Sequence, residues 1–382
     1  MVLNHSAAGL FVCFISFSII WSHRHSAHTV SVSWQDVDGD TPLIVACNMT
    51  DEYLVRCLLA AGCRVDAAGY EDNTALHRAA ERGSVRLVQL LIDHADADLA
   101  LTNSAGNTPL MVACENGHVD VARSLLERSV DCRPHSAPLH CGNGDGKTCL
   151  HLAALSGPVE LVDLLLQAGV LAYSADSGGN TALVLAIRSR NFDFASRLLQ
   201  VLSCSELSAA ERADYVNRPG ELGRSAAHWA ALHGAVDLLD ALSAAVEEHL
   251  YLEARDVAGD TPLLLAAKAD RVDALRWLVA RNCDVNCRGE LGRTALHWTV
   301  MAADRDAVER LLAVDGVAAA IPDEADCTPL LLAAAHHRYA EMRTILRSAA
   351  SDADVDRRDG EGRTALHWIC KVRLRHLDTT LV

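Results

Sequence analysis

The phrase GDTPLLLAA at residues 259–267, answered one unit later by GRTALHWTV at residues 292–300, decides how this chain folds. In each, a hydroxyl residue (Thr261, then Thr294) stands before a short run of small and apolar residues. A Thr or Ser so placed is a helix N-cap, because its side-chain oxygen accepts from first-turn amides that lack a partner within the helix. Proline directly after the hydroxyl, at Pro42, Pro109, Pro262 and Pro329, suits the first helical position, where the missing N–H would have gone unused.

The same phrase occurs in ten copies, with its hydroxyl at Thr41, Thr74, Thr108, Thr148, Thr181, Ser225, Thr261, Thr294, Thr328 and Thr364. Successive intervals are 33, 34, 40, 33, 44, 36, 33, 34 and 36 residues, a period that marks a repeat architecture. Five residues after the hydroxyl comes alanine in eight of ten copies, among them Ala46, Ala79 and Ala266, so neighbouring helices are expected to press closely there. Seventeen residues after it comes Leu58, Leu91, Leu125, Leu165, Leu198, Leu242, Leu278, Leu311 or Ile345, which predicts a second, inward-facing helix in each unit. Polar turns such as GCRVDAAGYEDN (62–73) and NCDVNCRGELGR (282–293) join the copies. A helix pair with a projecting turn cannot bury its own apolar face, so adjacent pairs must stack.

From residue 36 onward this pattern resembles the ankyrin-repeat family, whose units run G-x-T-P-L-H-x-A-A, then a second helix ending in Leu-Leu, then a finger-like hairpin. The resemblance implies an all-α ankyrin-repeat solenoid of about ten helix–turn–helix repeats with β-hairpin-like fingers over residues 36–382, after a hydrophobic segment, 1–35, with no assigned fold. It also implies a protein-interaction scaffold or adaptor, not an enzyme, which holds a partner in the concave groove lined by first helices and fingers. A second reading makes the array the regulatory segment of a larger membrane channel or modifying enzyme. The two long intervals carry insertions near 130–145 and 203–219, expected to enlarge fingers or loops. In the second, Ser208-x-x-Glu211 predicts a capping box that opens an extra helical turn. Val382 falls where the last Leu-Leu should lie, so the array is expected to continue beyond it.

Bulk composition narrows the partner. Half of the 382 residues are apolar but only 4% are aromatic, so the core must be Leu, Ala and Val. A formal charge of −16 repels phosphate backbones, which excludes nucleic acid as a partner and favours a basic protein. Thirteen cysteines, an odd number without a C-x-x-C pair, fit a reducing compartment; a cytoplasmic location is expected, with the nucleus also open. LFVCFISFSIIW (10–21) is too short to span a bilayer. It has the length of a signal-peptide core but no Lys or Arg in its n-region and no convincing small-x-small cleavage site, so a signal or anchor is the lesser reading and no membrane is expected.

Candidate chemistry dissolves into the repeat grammar. GNGDGKT (142–148) has Cys141 where a phosphate loop needs its first glycine, and DVDGD (36–40) lacks the last acidic ligand of a calcium loop. Cys132, His135, His140 and Cys141 match no zinc-site spacing, so no metal and no cofactor are assigned. Histidine follows the hydroxyl by three residues in alternate copies (His77, His151, His228, His297, His367), while Ile44, Met111, Val184, Leu264 and Leu331 take its place in the others. In the family that histidine is structural and ties neighbouring units. Trp229, Trp298 and Trp368 follow three of these histidines, with Arg224, Arg293 and Arg363 before the cap. Such Arg–Trp pairs on a first-helix face are candidate partner-binding residues, the alternative being that each indole packs between first helices. Finally, LVARNCDVN places Asn286 in a context similar to the acceptor that asparaginyl hydroxylases use in ankyrin fingers, making it a candidate hydroxylation site.

Overall fold

All ten hydroxyls stand directly before a helix in the computed structural model, which describes residues 34–93, 97–131, 139, 141–204, 207–246, 249–348 and 354–378. Where proline follows, it takes the first helical position, and the hydroxyl accepts from the third amide: Ile44 N–H to Thr41 Oγ1 at 3.4 Å, Leu264 N–H to Thr261 Oγ1 at 3.4 Å.

The chain divides into two compact units, residues 1–198 and 199–382, and the division falls inside one helix. In the first unit the first helices are α1 (Pro42–Asn48), α3 (Ala75–Glu81), α5 (Pro109–Glu115), α7 (Cys149–Ser156) and α9 (Ala182–Arg188). Their second helices are α2 (Glu52–Ala60), α4 (Val85–Asp93), α6 (Val119–Asp131) and α8 (Glu160–Gln167), and α10 (Phe192–Ser203) follows α9. First helices pack on first helices, from α1 through to α9; second helices pack on second helices; each pair also packs on itself.

The second unit repeats the scheme. Its first helices are α12 (Ala226–His233), α14 (Pro262–Lys268), α16 (Ala295–Ala302), α18 (Pro329–Ala335) and α20 (Ala365–Asp378). Its second helices are α13 (Val236–Val246), α15 (Val272–Val279), α17 (Arg305–Leu312) and α19 (Tyr339–Arg347). Ahead of them α11 (Ala209–Asn217) packs on α13, so the insertion supplies a member of the second-helix row, longer than the single turn expected. The Ser208–Glu211 capping box forms: Ser208 N–H donates to Glu211 Oε2 at 2.9 Å, and Glu211 N–H to Ser208 Oγ at 3.3 Å. Ser208→Ala is expected to cost about 1 kcal/mol, read as a shift in the urea unfolding midpoint.

The small-residue position behaves as its size demands. Ala46, Ala79, Ala113, Ala153, Ala186, Ala230, Ala266 and Ala333 are fully buried where first helices meet. Thr299, the exception in copy eight, hides its hydroxyl by donating to Leu296 O at 3.1 Å. The Leu or Ile seventeen residues on is buried in every copy from Leu58 to Ile345, each worth about 1.5–3 kcal/mol relative to exposure.

Among the described residues there is no strand, only an isolated antiparallel bridge between Ala175 and Thr181. The fingers are turns closed by a side chain instead of a strand ladder. Five residues before the hydroxyl, Asp36, Asn103, Asn143, Asp176, Asp256, Asp323 or Asp359 accepts two backbone N–H groups through Oδ1, from the residues two and four positions on. Copies two, six and eight carry Gly69, Gly220 and Gly289 there instead, and turn through Tyr70–Asp72, Glu221–Gly223 and Glu290–Gly292 with Glu71, Leu222 and Leu291 left-handed. The hydrophobic stretch at 10–21 and Cys132, His135 and His140 lie outside the described residues; Cys141 is exposed. Among the described residues no helix is long and apolar enough to cross a membrane.

Candidate functional site

The alternate histidines set the frame on which the candidate residues sit. His77 Nδ1 accepts the Thr74 N–H at 3.2 Å, so the proton resides on Nε2, which donates to Asn107 O of the next copy at 2.9 Å. His151 reaches Asn180 O at 3.1 Å, His228 reaches Ala254 O at 3.1 Å, and His297 reaches Cys327 O at 3.1 Å in the same way. His367 keeps the contact to its own cap, with Thr364 N–H at 3.2 Å. Burial depresses the pKa of His77, His151 and His228, and brings His297 to about 4, because a charged ring would lose both solvation and its acceptor role at Nδ1.

One residue beyond the histidine, the indoles emerge half-buried from α12, α16 and α20. Arg224 lies 5.2 Å from the Trp229 ring centre, Arg293 5.0 Å from Trp298, and Arg363 4.0 Å from Trp368. The sequence-predicted pairs are therefore brought together, each a cation over an aromatic face. Trp298 has a second cation, Lys268 Nζ of α14, at 4.7 Å. Trp368 also packs against the core cluster of Leu331, Ala334 and Ala365, so its indole is partly a packing element.

Each arginine is also engaged from behind, by a partner that sequence reasoning did not single out. Arg224 Nε meets Asp256 Oδ2 at 2.9 Å, and Arg293 Nε meets Asp323 Oδ2 at 3.2 Å; both carboxylates belong to the next finger and are buried. Burial would raise the Asp256 pKa, yet the Arg224 guanidinium and the loop amides together hold it below the usual value. In copy ten, Arg363 turns to Asp359 of its own finger at 2.9 Å, and Trp368 Nε1 donates to the same Oδ2 at 2.9 Å. Copies six and eight have Gly220 and Gly289 at that place, so the buried Nε1 atoms of Trp229 and Trp298 have no such acceptor. Arg precedes the cap in copies six, eight and ten alike, but five residues before the cap copies six and eight have Gly whereas copy ten has Asp359. Arg293→Ala should destabilise by about 2 kcal/mol, since it strands a buried carboxylate, whereas Arg305→Ala, from an exposed pair, should cost under about 0.5 kcal/mol. Urea unfolding of the two variants side by side measures the difference.

Asn286 stands apart from the indoles, in the finger between α15 and α16. Its Nδ2 donates to Gly316 O at 2.8 Å and its Oδ1 accepts from Ala318 N–H at 2.9 Å, which ties this finger to the next. Asn217 makes the same pair of contacts, to His249 O at 2.7 Å and from Tyr251 N–H at 2.8 Å.

A family profile described as "Ankyrin repeats (3 copies)" matches residues 17–103, 43–136, 134–206 and 201–289. Among curated relatives, the B-cell lymphoma 3 protein homolog of Mus musculus is 29% identical over 68% of this chain and 55% of its own length. The NF-kappa-B inhibitor cactus of Drosophila melanogaster is 32% identical over 55% of this chain and 38% of its own. The probable E3 ubiquitin-protein ligase XBOS33 of Oryza sativa subsp. japonica is 32% identical over 44% of this chain and 31% of its own. The chain thus spans about half the length of these relatives or less.

Proposed function

Because this chain belongs to the ankyrin-repeat family, we propose that it is a protein-interaction adaptor whose first helices and fingers, the concave groove of that family, hold a protein partner. The observation that carries the reading is the recurrence of the half-buried Arg–Trp step in three alternate copies of the second unit, at Arg224–Trp229, Arg293–Trp298 and Arg363–Trp368. A ring clamped by packing below and a guanidinium above offers a rigid apolar surface at little entropic cost, which is the character of an interface anchor. The acidic balance of the chain steers basic partners toward it. Catalysis has no part in this reading. The described cysteines are free thiols, as a cytoplasmic setting requires.

A second reading, that the array is the regulatory segment of a larger modifying enzyme, draws support from the likeness to a relative named as a probable ubiquitin ligase, of which this chain matches 31%. Its partner surface would be the same. Hydroxylation of Asn286 belongs to the proposal as a modification of the finger, and an added oxygen on the intact native protein tests it.

The experiment is Trp→Ala at 229, 298 and 368, scored for partner capture and for melting temperature together. Loss of capture with melting unchanged supports the anchors. Loss of melting temperature with capture retained assigns the indoles to packing alone and removes this surface.

A further inference from the structure

The second-helix row of the second unit holds a groove that the adaptor reading does not use. Between α17 and α19 lies a cavity of about 370 Å³ lined by Arg305, Glu309, Arg343, Thr344, Arg347 and Ser348, above Leu312 and Ala313; none of these belongs to a first helix. Three arginines line it, in a chain whose formal charge is −16.

Two of the three cations lack an anion. Arg305 is held by Glu309 at 2.8 Å, but Arg343 and Arg347 have no carboxylate partner among the described residues. They lie four positions apart on one helix, a spacing at which like charges repel and weaken the helix. Arg347 sits in the last turn of α19, where a cation offsets the helix dipole; Arg343, a turn earlier, gains nothing from that. A lone cationic pair is costly as it stands and becomes favourable once a doubly charged oxyanion bridges it, since guanidinium groups bind such oxygens in paired hydrogen bonds.

The geometry points to a phosphate-binding site between α17 and α19, in which Arg343 and Arg347 grip a phosphate monoester dianion and Arg305 closes the groove from the facing helix. The groove is open along one side, which leaves space for whatever carries the phosphate. Glu309 stays neutralised by Arg305 and does not repel the ligand.

Isothermal titration of the full chain with phenyl phosphate in low salt tests this. Saturable one-site binding is expected, weakening as the ligand becomes a monoanion below its second pKa of about 6. Arg343→Gln with Arg347→Gln should weaken it about tenfold or more while the melting temperature holds or rises, and Arg305→Gln, from the opposite helix, should weaken it as well. Inorganic phosphate is run in parallel: equal affinity assigns the site to the free ion, tighter phenyl phosphate to an ester on a larger group. No saturable binding at millimolar ligand, or binding indifferent to all three substitutions, overturns the proposal. The variants leave the first-helix residues untouched, so failure here leaves the adaptor reading standing.

Discussion

Lowering the pH from 7 to 5 is expected to remove about 2 kcal/mol of unfolding free energy through His297 alone. Its folded pKa of about 4 lies below the unfolded value of 6.5, so between these limits the unfolded chain binds the extra proton. The stability is therefore fully present above pH 6.5, falls as the pH drops through the window and is lost at about pH 4. Burial dominates this shift, the Nε2 contact to Cys327 O and the Asp323 charge oppose it, and Arg293 and Arg288 reinforce it. His77, His151 and His228 shift in the same direction, so the whole loss exceeds that of one residue. Urea unfolding at pH 7, 6 and 5 measures it. In His297→Gln the slope over that window should shrink; an unchanged slope would contradict the assignment. Asp256 and Asp359, held below the usual carboxylate value, add acid sensitivity only at lower pH.

Gly289→Val is expected to destabilise by about 3 kcal/mol or more. This glycine has φ −109°, outside the left-handed region, and the cost argued for it is the contact its side chain would make. A Cβ there would stand 2.6 Å from Leu264 Cδ1 and closer still to Asp260 Oδ1. Asp260 cannot retreat, because it is completely buried, accepts the Glu290 N–H at 2.9 Å and binds Lys268 Nζ at 3.0 Å. Lys268 is also paired with Glu290, and although burial alone would lower its pKa, the two carboxylates raise it. Gly69 repeats the arrangement against Asp40, which accepts the Tyr70 N–H at 2.8 Å. Gly316 is the control: its φ of +83° penalises a side chain, but nothing lies within 4 Å, so Gly316→Ala should cost only about 1 kcal/mol. Thermal unfolding of both variants compares them, and equal losses would contradict a steric lock between copies.

The legible part of this fold is the part governed by short-range chemistry. Thr41 and its equivalents cap helices because a hydroxyl next to a free amide needs no distant partner, and the Ala46 and Leu58 positions report helix contact through size and periodicity alone. The histidine tie was readable only through resemblance, since its acceptor lies about thirty residues on, as from His297 to Cys327 O. The Arg–Trp pairs were readable as residues but not as geometry. That Arg224 would turn to Asp256 while Arg363 stays with Asp359 depends on whether glycine or aspartate closes the local finger, a coupling between copies that a single phrase does not display. The Arg343–Arg347 groove was not legible because stacking predicts that the second helices of adjacent copies meet, but not which side chains line the space left between them.

Hydrogen–deuterium exchange with and without a captured protein partner tests most directly which face does the binding. The account predicts slowed exchange at the finger amides of residues 220–224 and 289–293 and along α12 and α16, with α13, α15 and α17 unaltered. Protection confined to the second helices, with those fingers exchanging as in the free protein, would contradict it.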